Sequence, residues 1–169
     1  MVTANKLETK VTLPSDTEIL ITREFDAPRD LVFNAMTDPD LIPRWWGPRG
    51  YTTEVDTMDV RPGGKWRFVH RTPDGTAHGF RGEYREVVPP ERIVQTFEYE
   101  PMAGHIFVET ATFTEHDGRT LLTVRSVAPS KEDRDGMIQS GMEKGLVETH
   151  DRFAELLAEL RAAVRTSAR

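Results

Sequence analysis

Ser140-Gly141-Met142-Glu143-Lys144-Gly145-Leu146 is the stretch on which the reading of this chain turns. It lies in a segment from Ser130 to about Val164 whose mostly apolar positions are Ile138, Met142, Leu146, Thr149, Phe153, Leu157, Leu160 and Val164. That three-to-four-residue period predicts one amphipathic helix. Ser130, with an acid three residues on at Asp133, is a capping-box pattern for its start. Gly141 and Gly145 are four apart and so share one face of such a helix. Each costs roughly 1 kcal/mol against alanine in a helix interior. Two reasons for a face without side chains stay open: close packing on a sheet, or a space that a ligand occupies.

Working outward, the rest of the chain reads as the sheet that this helix crosses. Glu18 to Phe25 alternates as a strand. Asp26-Ala27-Pro28 then opens a short helix with apolar Leu31, Val32, Ala35 and Met36, which Asp38-Pro39 ends. A second short helix is expected over Asp40 to Trp45, stopped by Gly47-Pro48. From Tyr51 the period switches to two, giving strands at Thr52–Met58, Lys65–Thr72, His78–Val88, Arg92–Glu100, His105–Glu115 and Arg119–Ala128. Pro62-Gly63-Gly64, Pro73-Asp74-Gly75, Pro89-Pro90 and His116-Asp117-Gly118 supply the turns. Connections this short make antiparallel hairpins. The fold class is α+β: a curved antiparallel sheet of about six to seven strands wrapped on the C-terminal helix, with two short helices after the first strand. Residues 1–16 read as a mostly flexible start, with a short edge strand through Leu7, Val11 and Leu13 as the alternative, 17–164 as a single domain, and 165–169 as a frayed end.

Composition excludes several functions. A chain of 169 residues with a formal net charge of -6 and scattered Lys and Arg lacks the basic patch that nucleic acid or an anionic membrane surface favours. With no cysteine, disulfides, thiolate catalysis and cysteine metal sites are ruled out. No apolar run approaches the roughly 18 residues of a membrane helix, and the start lacks a signal-peptide core. A cytoplasmic domain without membrane insertion is expected. The five histidines show no ligand spacing, so neither a metal nor another cofactor is expected; a homodimer is compatible with the sequence.

A strongly bent sheet over a single helix encloses a cavity unless large side chains fill it. On the strand from Lys65, Trp66, Phe68 and His70 share the face expected to be concave. The candidate pocket residues are Trp45, Trp46, Trp66, Phe68, His70, Phe80, Tyr84, Phe97 and Phe113 from the sheet side, with Met142, Gly145, Leu146 and Thr149 from the helix. Adjacent indoles cannot share a direction, so of Trp45 and Trp46 one packs inward while the other rims an opening. His70 is the residue chosen as acid or base if the protein is an enzyme, on the expectation that an imidazole keeps a pKa near neutrality. Glu83, Glu98 and Glu109 are acids within strands; solvent-facing positions are the plainer reading, and inside an apolar pocket a carboxyl would have a raised pKa. A one-residue slip reverses each facing: Phe107, Ala111 and Phe113, or instead Val108, Thr110 and Thr112, line the penultimate strand.

Several motifs resemble a known family: Trp45-Trp46-Gly47-Pro48, Asp59-Val60-Arg61-Pro62-Gly63-Gly64-Lys65-Trp66, the run from Gly82 to Val94, and Gly141-Met142-Glu143-Lys144-Gly145. From about Glu18 to Leu160 the chain resembles the C-terminal domain of the activator of heat-shock protein 90 ATPase, within the START and birch-pollen-allergen-like superfamily (SRPBCC). The resemblance implies the helix-grip fold and, for residues 17–164, a START-like domain. It further implies binding of a small hydrophobic or aromatic molecule; some relatives are instead cyclases or hydrolases, or lipid carriers. Co-chaperones of this type also carry a separate N-terminal chaperone-binding domain, for which this chain leaves no room, so little stimulation of a chaperone ATPase is expected. No unambiguous catalytic set stands in the sequence, and a binding module is the leading reading. An enzyme using the same pocket and a protein-interaction domain are the alternatives.

Overall fold

The structure, a computed structural model, describes residues 7–167. Eight strands form one antiparallel sheet in the order β1-β2-β8-β7-β6-β5-β4-β3. They are β1 (Lys10–Thr12), β2 (Glu18–Phe25), β3 (Thr52–Met58), β4 (Lys65–Arg71), β5 (Ala77–Val88), β6 (Arg92–Tyr99), β7 (Phe107–His116) and β8 (Arg119–Val127). Short helices α1 (Arg29–Thr37) and α2 (Ile42–Trp45) follow β2, and α3 (Lys131–Gln139) and α4 (Met142–Ser167) close the chain. This is the helix-grip architecture that the sequence motifs implied, with one strand more than expected.

The extra strand is β1, which corrects the expected flexible start: Lys10, Val11 and Thr12 pair with Thr22, Ile21 and Leu20 at the sheet edge. The expectation for residues 1–6 lies outside the described residues. At the other end α4 runs through 165–167 as helix, where fraying was expected; residues 168–169 lie outside the described residues.

The larger correction concerns the C-terminal segment, which is two helices and not one. Ser130 caps α3 as the capping-box pattern predicts, its Oγ accepting from the Asp133 N–H at 3.1 Å. α3 then ends at Gly141, which adopts φ +83°, a left-handed conformation that glycine enters without a Cβ penalty. The Gly141 N–H donates to the Ile138 carbonyl, and the Ser140 N–H to the Gly136 carbonyl. Gly141 is thus a helix terminator. It shares no helix face with Gly145, which lies in the first turns of α4.

The concave side of the sheet is filled unevenly. At one end Phe25, Ile93, Phe113, Leu122 and Tyr84 pack against α1, α2 and the middle of α4, where Phe153, Leu156 and Leu157 are buried. Phe153 meets Phe25 edge-on at 5.1 Å and Trp45 at 4.4 Å. At the other end, beneath the α3–α4 junction, the same face stays open.

Candidate functional site

The open end is a cavity of about 720 Å³. Its floor is the concave face of β2, β4–β8; its roof is the end of α3 and the first turns of α4; its flank is the loop after α2. Of the residues proposed from sequence, Trp46, Trp66, Phe68, His70, Phe80, Phe97, Met142, Gly145, Leu146 and Thr149 line it. Trp45, Tyr84 and Phe113 do not. They face the same side but stand at the packed end: the Trp45 Nε1–H donates to the Ala35 carbonyl at 3.3 Å, Phe113 meets the Phe33 ring at 5.2 Å, and Tyr84 is buried in the core. The two adjacent tryptophans therefore part as expected, Trp45 into the core and Trp46 into the cavity.

The loop carrying Trp46 is fastened at several points. Thr53 Oγ1 donates to the Trp46 carbonyl at 2.7 Å, and the Arg152 guanidinium on α4 donates to the Gly47 carbonyl at 2.8 Å and the Arg44 carbonyl at 3.1 Å. Arg49 pairs with Glu155 at 2.6 Å. Trp46 then meets Phe68 at 5.3 Å and Phe80 at 5.2 Å, both edge-on. Trp66 lies at 4.9 Å from Phe68, and Phe80 at 5.6 Å from Phe97. The result is a continuous aromatic wall. Gly82 makes room for it: a Cβ there would stand 1.9 Å from the Thr96 carbonyl oxygen and 2.5 Å from the Trp66 Nε1. With no side chain in the way, the indole crosses the sheet and donates to that carbonyl at 3.2 Å.

His70 sits among rings at the end of this wall, 4.8 Å from Phe80, 5.1 Å from Tyr51 and 5.7 Å from Trp46. Its Nδ1 is buried without a hydrogen-bond partner among the described residues. Burial, assisted by neighbouring His78, pushes its pKa down to about 4. The expectation of a group titrating near neutrality is thereby corrected: the aromatic surroundings that bring His70 into the cavity also hold it neutral.

The polar part of the floor includes Glu109, for which a solvent-facing position was the plainer expectation. On β7 the open alternation resolves as Phe107, Glu109, Ala111 and Phe113 inward, so Glu109 comes with its aromatic neighbours. Its cross-strand partners are Gln95 on β6 and Ser126 on β8, and all three line the cavity. Burial drives the Glu109 carboxyl up to about 7, and its hydrogen bond with the Gln95 side chain acts the other way. The signal was the period of two: Phe107 and Phe113 inward require Glu109 inward. By contrast Glu98 is salt-bridged to Arg81. Among the described residues no group of three or more His, Asp or Glu side chains could hold a metal ion, and no helix is long and apolar enough to cross a membrane.

A helix-grip sheet with an aromatic cavity under a broken C-terminal helix defines the chain as a member of the SRPBCC class. Solved structures agree in fold. A crystal structure from Rhodobacter sphaeroides, 26% identical, covers 90% of this chain and 99% of that one with a TM-score of 0.84. An NMR structure from Arthrobacter aurescens, 25% identical, covers 89% and 91% with a TM-score of 0.82, and protein Ms6760 of Mycobacterium smegmatis, 27% identical, covers 89% and 96% with a TM-score of 0.80. The chain belongs to the family described as Activator of Hsp90 ATPase homolog 1-like protein, which matches residues 26–158. No curated protein matches it.

Proposed function

We propose that this domain binds a small apolar or aromatic molecule between the sheet and the α3–α4 arm. The observation that carries the reading is the cavity of about 720 Å³ walled by aromatic rings. Small-molecule sites typically occupy about 300–1,000 Å³ and combine apolar walls with a few polar groups. Trp46, Trp66, Phe68, Phe80 and Phe97 supply the contact area from the sheet side. Met142, Leu146 and Thr149 supply it from α4, Gly145 leaves the space open, and His70 bounds it. Aromatic side chains dominate such contacts through their large rigid surfaces, and methionine adapts to ligand shape. The absence of cysteine agrees with a place of action in the reducing cytoplasm.

Native mass spectrometry of the protein purified from its source is the test. The expected result is one small-molecule adduct per chain, released on denaturation. A bare chain, with no organic compound enriched in the extract, would count against the proposal.

A further inference from the structure

We infer that the cavity selects an organic cation: an apolar or aromatic molecule carrying a protonated amine, which Glu109 pairs at the floor. The inference rests on the reading of the cavity as a ligand site. Glu109 lines the cavity without a cationic partner, whereas Glu83 and Glu115, strand acids that also make no ion pair among the described residues, are exposed to solvent. Glu54 pairs with Arg71, Glu86 with Arg92, Glu98 with Arg81 and Glu100 with Arg67. Glu109 has the neutral Gln95 amide and the Ser126 hydroxyl as its cross-strand neighbours, and burial acts on it without any charged partner. A carboxylate partly withdrawn from water on an apolar floor without a counter-charge is disfavoured, and pairing with a cation relieves that cost.

Nothing else in the cavity supplies that cation at the floor. The titratable groups lining it are His70 on β4, Tyr51 and Arg49 around the loop after α2, and Lys144 and Glu148 on α4. His70 is held neutral, Arg49 is engaged by Glu155, and none of the five contributes to the state of Glu109. The wall facing the ligand is made of π faces, which attract a cation by their quadrupoles. A net charge of -6 favours a cationic ligand's approach as well. A neutral apolar ligand would use the rings and leave the carboxyl unpaired.

The probes are N,N-dimethyl-1-naphthylmethylamine and its uncharged isostere 1-isobutylnaphthalene, titrated by fluorescence into the full chain. At pH 8 the amine should bind at least about tenfold tighter than the hydrocarbon, as one pair worth 1.4 kcal/mol requires. If only ionised Glu109 takes the amine, its affinity should fall roughly thirtyfold from pH 8 to pH 5.5. Glu109→Gln, and Glu109→Leu as a second variant suited to apolar surroundings, should each lower the ratio of the two affinities by at least about tenfold at pH 8 and abolish its dependence on pH. Equal affinities in the unaltered protein, a pH-independent preference, or a preference kept by both variants would overturn the inference while the cavity still binds. If neither probe binds, the ligand-site reading fails and the inference with it.

Discussion

Gly145→Trp should abolish uptake of the neutral dye N-phenyl-1-naphthylamine while the domain stays folded. Gly145 lies on α4 at the cavity, and a Cβ there would meet only Pro48, at 3.4 Å from its Cγ. The first atom of a side chain therefore fits, and the indole beyond it enters space that the ligand needs. The helix loses nothing, because tryptophan is the better helix former by roughly 0.5 kcal/mol. We expect dye affinity to fall by at least about tenfold, equivalent to 1.4 kcal/mol, with circular dichroism and the urea midpoint close to those of the parent. A folded variant that takes up the dye normally would remove the cavity from that place.

Acid should erode the contribution of His150 to stability well above the carboxylate range. His150 is buried against the Phe25 ring of β2, 5.6 Å away, and its Nδ1 lies 2.8 Å from Thr9 Oγ1. Burial first, and nearby Arg23 second, push its pKa down to about 4; Asp151 acts against them. The folded state thus holds the neutral ring where the unfolded chain, at its ordinary 6.5, takes a proton. Stability from this group is complete above pH 6.5 and drains away as the pH falls towards 4. The loss between pH 7 and pH 4.5 is roughly 2 kcal/mol. His70 works in the same direction, weakened by its partial exposure. Glu109 works oppositely: its raised carboxyl favours the folded state at low pH and loses that contribution as the pH climbs through about 7. Urea unfolding at the two pH values isolates the His150 share. His150→Gln, which keeps a hydrogen-bonding group but does not titrate, should show a drop smaller than the parent's by roughly 2 kcal/mol. Equal drops in both proteins would mean that His150 is not held neutral.

The strands were legible because turn residues punctuate a clear period of two, and the inward set Trp66, Phe68, His70 is the aromatic half of one alternation. The break at Gly141 was not legible. Ile138 and Met142 stay in phase across it, so the apolar period continues while the backbone does not. Only the left-handed φ separates a helix terminator from a small residue on a helix face. Trp45, Tyr84 and Phe113 were placed in the pocket because they point inward. Inward-facing is not the same as cavity-lining, and which end of the sheet is packed depends on where α1, α2 and Phe153 come to rest. That is a tertiary property with no local signal. Glu109 was misplaced for another reason: a strand acid is usually solvated, and that expectation outweighed the period of two that carries it inward with Phe107 and Phe113.

The central claim is an apolar ligand cavity at one end of the concave face, and the three indole N–H signals in a nitrogen-15 correlation spectrum test it most directly. On titration with N-phenyl-1-naphthylamine, Trp46 and Trp66, which line the cavity, should shift together and saturate at one dye per chain. Trp45, buried at the packed end with its Nε1–H on the Ala35 carbonyl, should stay in place. Saturable binding that leaves Trp46 and Trp66 unmoved, or that shifts Trp45 alone, would contradict the account.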